Sequence, residues 1–125
     1  MAALCKASLP AVDDCIFCKI VSGQIPAEIV HQDEWVTAFR DIKPQAPTHL
    51  LIVTNRHISG LLDVHQRDAE LLGRIVLTAN ALAREQGFAA NGFRIVSNQG
   101  KDGGQTVEHL HFHLLAGRPM TWPPG

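Results

Sequence analysis

Three histidines fall on alternate positions in His109-Leu110-His111-Phe112-His113. Successive side chains of a β-strand point to opposite faces. A strand here lines His109, His111 and His113 along one side and turns Leu110, Phe112 and Leu114 to the other. The apolar trio can enter a core, which leaves the imidazole face for chemistry. A neutral imidazole nitrogen is a good nucleophile near pH 7, and flanking rings can donate hydrogen bonds to phosphate oxygens or to a leaving group. The middle ring, His111, has an imidazole neighbour on each side, an arrangement open to chemistry on phosphorus. Alternating histidines can equally present nitrogen ligands to a metal ion. No Asp or Glu lies within the run to complete such a set, although Glu108 adjoins it. A solvated face without function is the third reading, and spacing alone does not choose among them.

The segment entering this strand is Ser97-Asn98-Gln99-Gly100-Lys101-Asp102-Gly103-Gly104-Gln105-Thr106. Glycines let backbone N–H groups approach an anion closely, while Asn98, Gln105 and Thr106 offer neutral donors. Alone, the segment reads as well as a glycine-rich hairpin turn; beside the histidines, an anion cradle explains more. A second constellation, Cys15-Ile16-Phe17-Cys18, has the spacing of a structural zinc site, provided two more ligands arrive. Two buried thiols on a helix give the same pattern. A redox pair is disfavoured, because no thioredoxin-like βαβ pattern surrounds it.

The elements that must position these residues follow from periodicity and punctuation. Asp13 or Asp14 can cap a short helix over 15–21, ended by Ser22-Gly23. Residues 28–32 and 35–40 read as two short strands with Asp33-Glu34 as the turn. Pro44 and Pro47 forbid regular ladder pairing over 41–48, and 49–54 is a β-branched, apolar strand. The long helix runs over 65–86: Leu71, Leu72, Ile75, Val76, Ala79, Leu82 and Ala83 recur at helical spacing, and Gly87 stops it. Asp68 and Glu70 near its start and Arg84 near its end agree with the helix dipole. Strands over 93–98 and 107–116 complete an α+β architecture, with about five antiparallel strands, one long helix and one short N-terminal helix.

At 125 residues, 46% hydrophobic and 18% charged, the chain is expected to form one globular domain over 13–125, preceded by a flexible tail over 1–12. A net charge of -1 argues against a nucleic-acid polymer as partner, which normally leaves a basic footprint. No apolar run reaches the roughly 20 residues needed to span a bilayer, so no membrane partner is expected. The first ten residues lack the basic start, apolar block and cleavage site of a signal peptide. The cysteines Cys5, Cys15 and Cys18 are odd in number, which fits a reduced compartment; cytoplasm is the expected location.

Taken together, these residues resemble the histidine triad superfamily, in particular its Hint branch of nucleoside phosphoramidate hydrolases. The likeness is carried by Asp41-Ile42-Lys43-Pro44-Gln45-Ala46-Pro47-Thr48-His49, by His57-Ile58, and by Asp102-Gly103-Gly104-Gln105-Thr106-Val107. It extends through the histidine strand to the tail Gly117-Arg118-Pro119-Met120-Thr121-Trp122-Pro123-Pro124-Gly125. The resemblance implies the family's fold, in which two protomers pair into a continuous antiparallel sheet. It implies that His111 attacks the α-phosphorus of a purine, AMP-like nucleotide, giving a nucleotidyl-histidine that water resolves without a catalytic cofactor. His113 would contact the phosphate, His109 would orient the nucleophile, and His49 would join the same network. Asn98, Gly104, Gln105 and Thr106 would hold the phosphate, with the Thr106 hydroxyl serving the leaving amine. Asp41 would bind the ribose, and Ile16, Phe17, Phe39 and Ile42 would enclose the base. Trp122 and its tail would reach the partner protomer's site. For the long helix the expectation is structural or dimer-forming.

The Cys15/Cys18 pair departs from the metal-free pattern of the Hint branch. In zinc-bearing members of the superfamily its partners correspond to His49 and His109, so the resemblance implies a structural zinc at Cys15, Cys18, His49 and His109. Two other functions stay open. One is hydrolysis of dinucleoside polyphosphates or nucleotidyl transfer, against which the Trp-Pro-Pro-Gly ending and the Gly-Gly-Gln-Thr loop weigh. The other is a nucleotide-binding scaffold with incidental turnover, which a competent site does not exclude.

Overall fold

The computed structural model describes residues 14–125. The expected tail over 1–12, and Asp13, lie outside the described residues. Along the chain come α1 (Ile16–Val21), β1 (Ile29–Gln32), β2 (Val36–Arg40), β3 (Thr48–Thr54), α2 (Ala69–Glu85), β4 (Phe93–Val96), α3 (Gly100–Gly103) and β5 (His111–Ala116). The strands form one sheet in the order β1-β2-β3-β5-β4, with every neighbouring pair antiparallel. This is the α+β arrangement the sequence predicts, with β4 at an edge.

Alternation along β3 sorts the interior into two layers. Leu50 and Ile52 join Val36 and Ala38 of β2 and Leu114 and Ala116 of β5 against Leu71, Ile75, Ala79 and Leu82 of α2. Leu51 and Val53 face the other way, where they join Phe39 and the α1 residues Phe17, Cys18, Ile20 and Val21. Each fully buried Leu or Ile contributes about 1.5–3 kcal/mol relative to exposure, so the longer α2 face is the main source of stability. The second layer is thinner and carries the histidines. No helix among the described residues is long and apolar enough to cross a membrane.

Three element ends depart from expectation by two residues or more, and the cap of α1 is a different residue. The cap of α1 is Cys15, whose Sγ accepts the Cys18 N–H at 3.3 Å, so the carboxylate of Asp14 does not serve. Residues Gln66–Asp68 form a 3-10 turn, and α2 begins at Ala69 rather than 65 because Asp68 folds back to accept the His65 N–H at 2.9 Å. β4 ends at Val96, where the Ser97 hydroxyl takes over from the ladder and donates to the His111 carbonyl at 2.7 Å. β5 begins at His111 rather than 107. Before it, Leu110 N–H bonds the Ile58 carbonyl (2.6 Å) and Thr54 N–H bonds the Leu110 carbonyl (3.4 Å), so the chain crosses the end of β3 instead of extending along it. His109 therefore precedes the strand.

Candidate active site and metal centre

The β3–β5 register sets Val53 opposite His111, Leu51 opposite His113 and His49 opposite Leu115, which brings these three imidazoles to the α1 face. The His111 side chain is nearly closed off, flanked by the rings of Phe17 (5.0 Å between centroids) and His113 (5.2 Å). Its Nδ1 lies 2.6 Å from the backbone carbonyl of His109. A carbonyl only accepts, so Nδ1 carries the proton, and the neutral ring keeps its lone pair on Nε2. Bend and strand thus act together: because the chain turns at His109, that residue's carbonyl is available to orient the next ring but one.

His113 sits beside His111 with its Nδ1 2.8 Å from His49 Nε2, and Asp41 Oδ2 lies 3.5 Å from the same His49 nitrogen. Burial, reinforced by repulsion from His111 and His49 and opposed by Asp41, holds His113 at about 4. Burial likewise lowers His49, against the pull of Asp41. Both rings are neutral at pH 7. His49, His113 and Asn98 line a cleft of about 360 Å³, bordered by Arg94 and Arg118 and closed at one side by Met120, Thr121 and Pro123.

The other expected contacts divide. Thr106 and Ile16 share a second cleft with Cys15 and His57. Gly104 ends α3 with φ +81°, a left-handed conformation that glycine adopts freely. The Gln105 side chain is not free to hold phosphate. Its Oε1 accepts the Gly100 N–H at 2.9 Å, and its Nε2 donates to the carbonyls of Ser59 (2.7 Å) and Val107 (3.2 Å), so both its protons are spent inside the loop. Phe17 and Phe39 pack edge to face in the core at 5.6 Å, which leaves Ile16 and Ile42 as the exposed apolar groups able to meet a base. Ile42 is 92% exposed and Trp122 82%. Asp41 Oδ1 accepts the Lys43 N–H (2.7 Å) and shapes the turn before Pro44, while its other oxygen faces His49.

The metal set requires one correction. Cys15, Cys18 and His109 do converge, but the fourth group is His57, whereas His49 stands with Asp41 and His113. The antiparallel register explains the exchange. His49 pairs with Leu115, toward the far end of β5, whereas His109 lies just before the start of that strand. The end of β3 and the turn after it, with His57, meet the start of β5 instead.

His109 Nδ1 lies 3.2 Å from Cys15 Sγ, 3.5 Å from Cys18 Sγ and 3.2 Å from His57 Nδ1, and Cys18 Sγ lies 3.3 Å from His57 Nδ1. Tetrahedral zinc with its usual bond lengths has ligand–ligand edges of about 3.3–3.8 Å, close to these separations. The donor chemistry also fits. His109 Nε2 gives its proton to the Thr54 carbonyl at 2.7 Å, and burial holds this ring at about 4, so its Nδ1 is a bare lone pair aimed at the thiols.

Four residues to which sequence reasoning gave no role, His57, Thr54, Gln45 and Arg118, prove to bear on the site. Only antiparallel pairing of the strand at 49–54 with the histidine strand could have flagged His57.

Comparison with known proteins agrees with this geometry. The HIT domain family matches residues 22–120. The purine nucleoside phosphoramidase of Escherichia coli K12 is 47% identical over 108 residues, covering 86% of this chain and 91% of that protein. The 14 kDa zinc-binding protein of Zea mays is 45% identical over 124 residues, covering 96% of each. The crystal structure of a HIT family hydrolase from Legionella pneumophila superposes with a TM-score of 0.88 at 53% identity, covering 90% of this chain and all of that one. With its fold, its histidines and its sequence in accord, this chain belongs to the HIT-domain family.

Proposed function

We propose that the protein hydrolyses purine nucleoside 5′-phosphoramidates, adenosine 5′-phosphoramidate among them, through a covalent nucleotidyl-His111. The observation that carries this reading is the bond from His111 Nδ1–H to the His109 carbonyl, which leaves Nε2 as a bare nucleophile beside a neutral His113. The similarity to the E. coli phosphoramidase favours the substrate class. His111 Nε2 attacks the α-phosphorus and the P–N bond breaks. The amine leaves with a proton taken from solvent water and relayed through the Thr106 hydroxyl, while Asn98 and His113 hold the non-bridging oxygens. Water then attacks the same phosphorus, releases the nucleoside monophosphate and frees His111. Asp41 takes the ribose hydroxyls, and Ile16 and Ile42 cover the base.

The same reading places a structural zinc at Cys15, Cys18, His57 and His109, supported by the cluster's spacing and the similarity to a zinc-binding plant protein. Zinc there supplies cross-linking between α1, the turn after β3 and the entry to β5, not chemistry on the substrate. The chain pairs with a second copy along the open edge of β4, giving a continuous sheet and bringing the exposed Trp122 to the partner's site.

Brief incubation with a nucleotide radiolabelled on phosphorus, acid quenching and peptide mapping tests the mechanism. Label on His111 is the expected result. Full turnover by His111→Gly would overturn it.

A further inference from the structure

We propose that the backbone N–H of Gln45, a residue anchored through its carbonyl by Arg118, fixes His113 as the tautomer that carries its proton on Nε2. The inference rests on the reading of His113 as the ring that meets the phosphate, and it gives positioning roles to two residues outside the expected site.

The order of protons follows from one donor of known identity. The Gln45 N–H donates to His49 Nδ1 at 3.0 Å. A ring nitrogen that accepts a hydrogen bond carries no proton, so neutral His49 must carry its proton on Nε2. That atom stands 2.8 Å from His113 Nδ1. A proton on His113 Nδ1 would set two N–H groups head to head at that distance. The His113 proton therefore sits on Nε2, where the ring donates to an anionic oxygen. The opposite tautomer would turn a lone pair toward the phosphate and repel it. Burial keeps His49 and His113 neutral at pH 7. The same placement argues against a metal ion at Asp41, His49 and His113. A ligating His49 Nε2 would have to send its proton to Nδ1, directly against the Gln45 N–H.

The residue that carries this N–H is held from outside its turn. Its carbonyl accepts Arg118 Nε at 3.1 Å, and its side chain donates to the Lys43 carbonyl at 3.0 Å. Arg118 is itself braced by Nη1 on the Pro119 carbonyl at 3.1 Å. The residue before it, Gly117, has φ +96°, and a Cβ there would stand 2.8 Å from Pro47 Cβ. Both the left-handed backbone and the rigid proline ring require glycine at this point. The segment after β5 thus packs directly on the 41–48 turn and, through the backbone of one residue, sets a proton position two rings away.

The test reads imidazole ¹⁵N shifts of histidine-labelled full-length protein at neutral pH, with His49→Gln and His113→Gln used to assign signals. In the unmodified protein, His49 and His113 should each show a bare Nδ1 and a protonated Nε2. Replacing the Gln45 amide by an ester, which removes only the N–H, should give His113 a mixture of tautomers; Arg118→Ala should do the same. With adenosine 5′-phosphoramidate, kcat should fall about tenfold at little changed KM, the loss of one hydrogen bond of about 1.4 kcal/mol. Arg118→Lys, which keeps a donor for the carbonyl, should recover part of both effects. A proton on His113 Nδ1 in the unmodified protein would overturn the proposal. So would an unaltered spectrum in the ester and Arg118→Ala proteins. If the tautomers are as stated but the protein turns over no phosphoramidate, the substrate reading falls and the positioning role stands.

Discussion

The backbone carbonyl of His109 holds the Nδ1–H of His111 at 2.6 Å, while the His109 side chain points its own Nδ1 at the Cys15 thiol 3.2 Å away. One residue therefore belongs to two centres. Its side chain ties α1 and the turn after β3 to the start of β5, and its main chain sets the tautomer of the candidate nucleophile. Whatever fixes the His109 ring also fixes the carbonyl, because the ring is fully buried and its Nε2 is tied to Thr54.

The first prediction concerns the cluster. Protein purified without chelator should contain close to one zinc per chain, and Cys18→Ser should contain almost none. Loss of a single supporting contact around a metal typically costs 10–100-fold in affinity, and loss of a direct ligand should cost at least about 100-fold. Cys18→Ser should also lower the melting temperature, and kcat with it, since the carbonyl that orients His111 is no longer anchored. Elemental analysis and a thermal melt on the same sample check both. Well under one zinc per chain in the unmodified protein would sink the assignment.

The second prediction concerns the nucleophile. His111→Gly should lower kcat by a factor on the order of 10⁴ or more, as removal of a covalent nucleophile generally does. AMP binding should weaken by less than about tenfold, since the phosphate and base contacts come from other residues. Single-turnover kinetics and calorimetric titration with AMP separate the two effects. Equal losses in both would make His111 a binding residue.

The third prediction is a pH dependence with a defined sign. His113 sits at about 4 in the fold against 6.5 for an ordinary histidine, chiefly through burial, and His49 moves the same way. Between these values the unfolded chain binds protons that the folded form refuses, so stability must fall as pH falls. The loss begins near pH 6.5 and levels off near pH 4, where the folded His113 also takes up its proton. The slope should stay below the full value of about 1.4 kcal/mol per pH unit for His113, because this ring is only half-buried. Urea unfolding across that window measures it, and His113→Gln should flatten the curve. An equal slope in the variant would remove His113 as the cause.

Much of this fold is legible in the sequence because periodicity reports burial locally. The apolar spacing of Leu71, Ile75, Ala79 and Leu82 and the β-branched run of β3 both formed elements where expected. The alternation of His111 and His113 likewise placed them on one face, against Phe112 and Leu114. What periodicity does not report is where a strand begins, and His109 shows this. It continues the alternation, yet it lies off the ladder, because Leu110 is bonded to Ile58 across the end of β3. The fourth member of the metal cluster was hidden for the same reason. His49 and His57 are both histidines near one strand, and only the antiparallel register says which end of β3 meets His109. Gln45 gives no sign of its role, since it acts through backbone atoms that any residue possesses, and the Arg118 guanidinium meets that carbonyl only in the folded chain.

The last prediction separates building the loop from binding the ligand. The Gln105 amide joins Gly100 to Ser59 and Val107, so it holds the glycine-rich segment to the stretch just after His57. Gln105→Ala should release that segment, with Asn98 at one end and Thr106 at the other. The cost should be about 1–2 kcal/mol in stability, for three bonds in a partly exposed position. Catalytic efficiency should fall about tenfold, because a misplaced positioning loop acts on the reaction more than on the fold. Gly60→Ala provides the graded control. Its backbone is extended and tolerates any residue, but a Cβ there would come within 2.6 Å of Gln99 Oε1 and 3.2 Å of Gln105 Nε2. Gln99 can swing away, giving up its bond from the Leu62 N–H (3.1 Å), while Gln105 needs to yield only slightly. Gly60→Ala should therefore cost about 1 kcal/mol in stability and affect turnover less than Gln105→Ala does. Steady-state kinetics and chemical denaturation of both variants give the ranking. If Gln105→Ala instead leaves stability untouched and raises KM alone, the amide contacts the phosphate directly, and the loop is held together by something else.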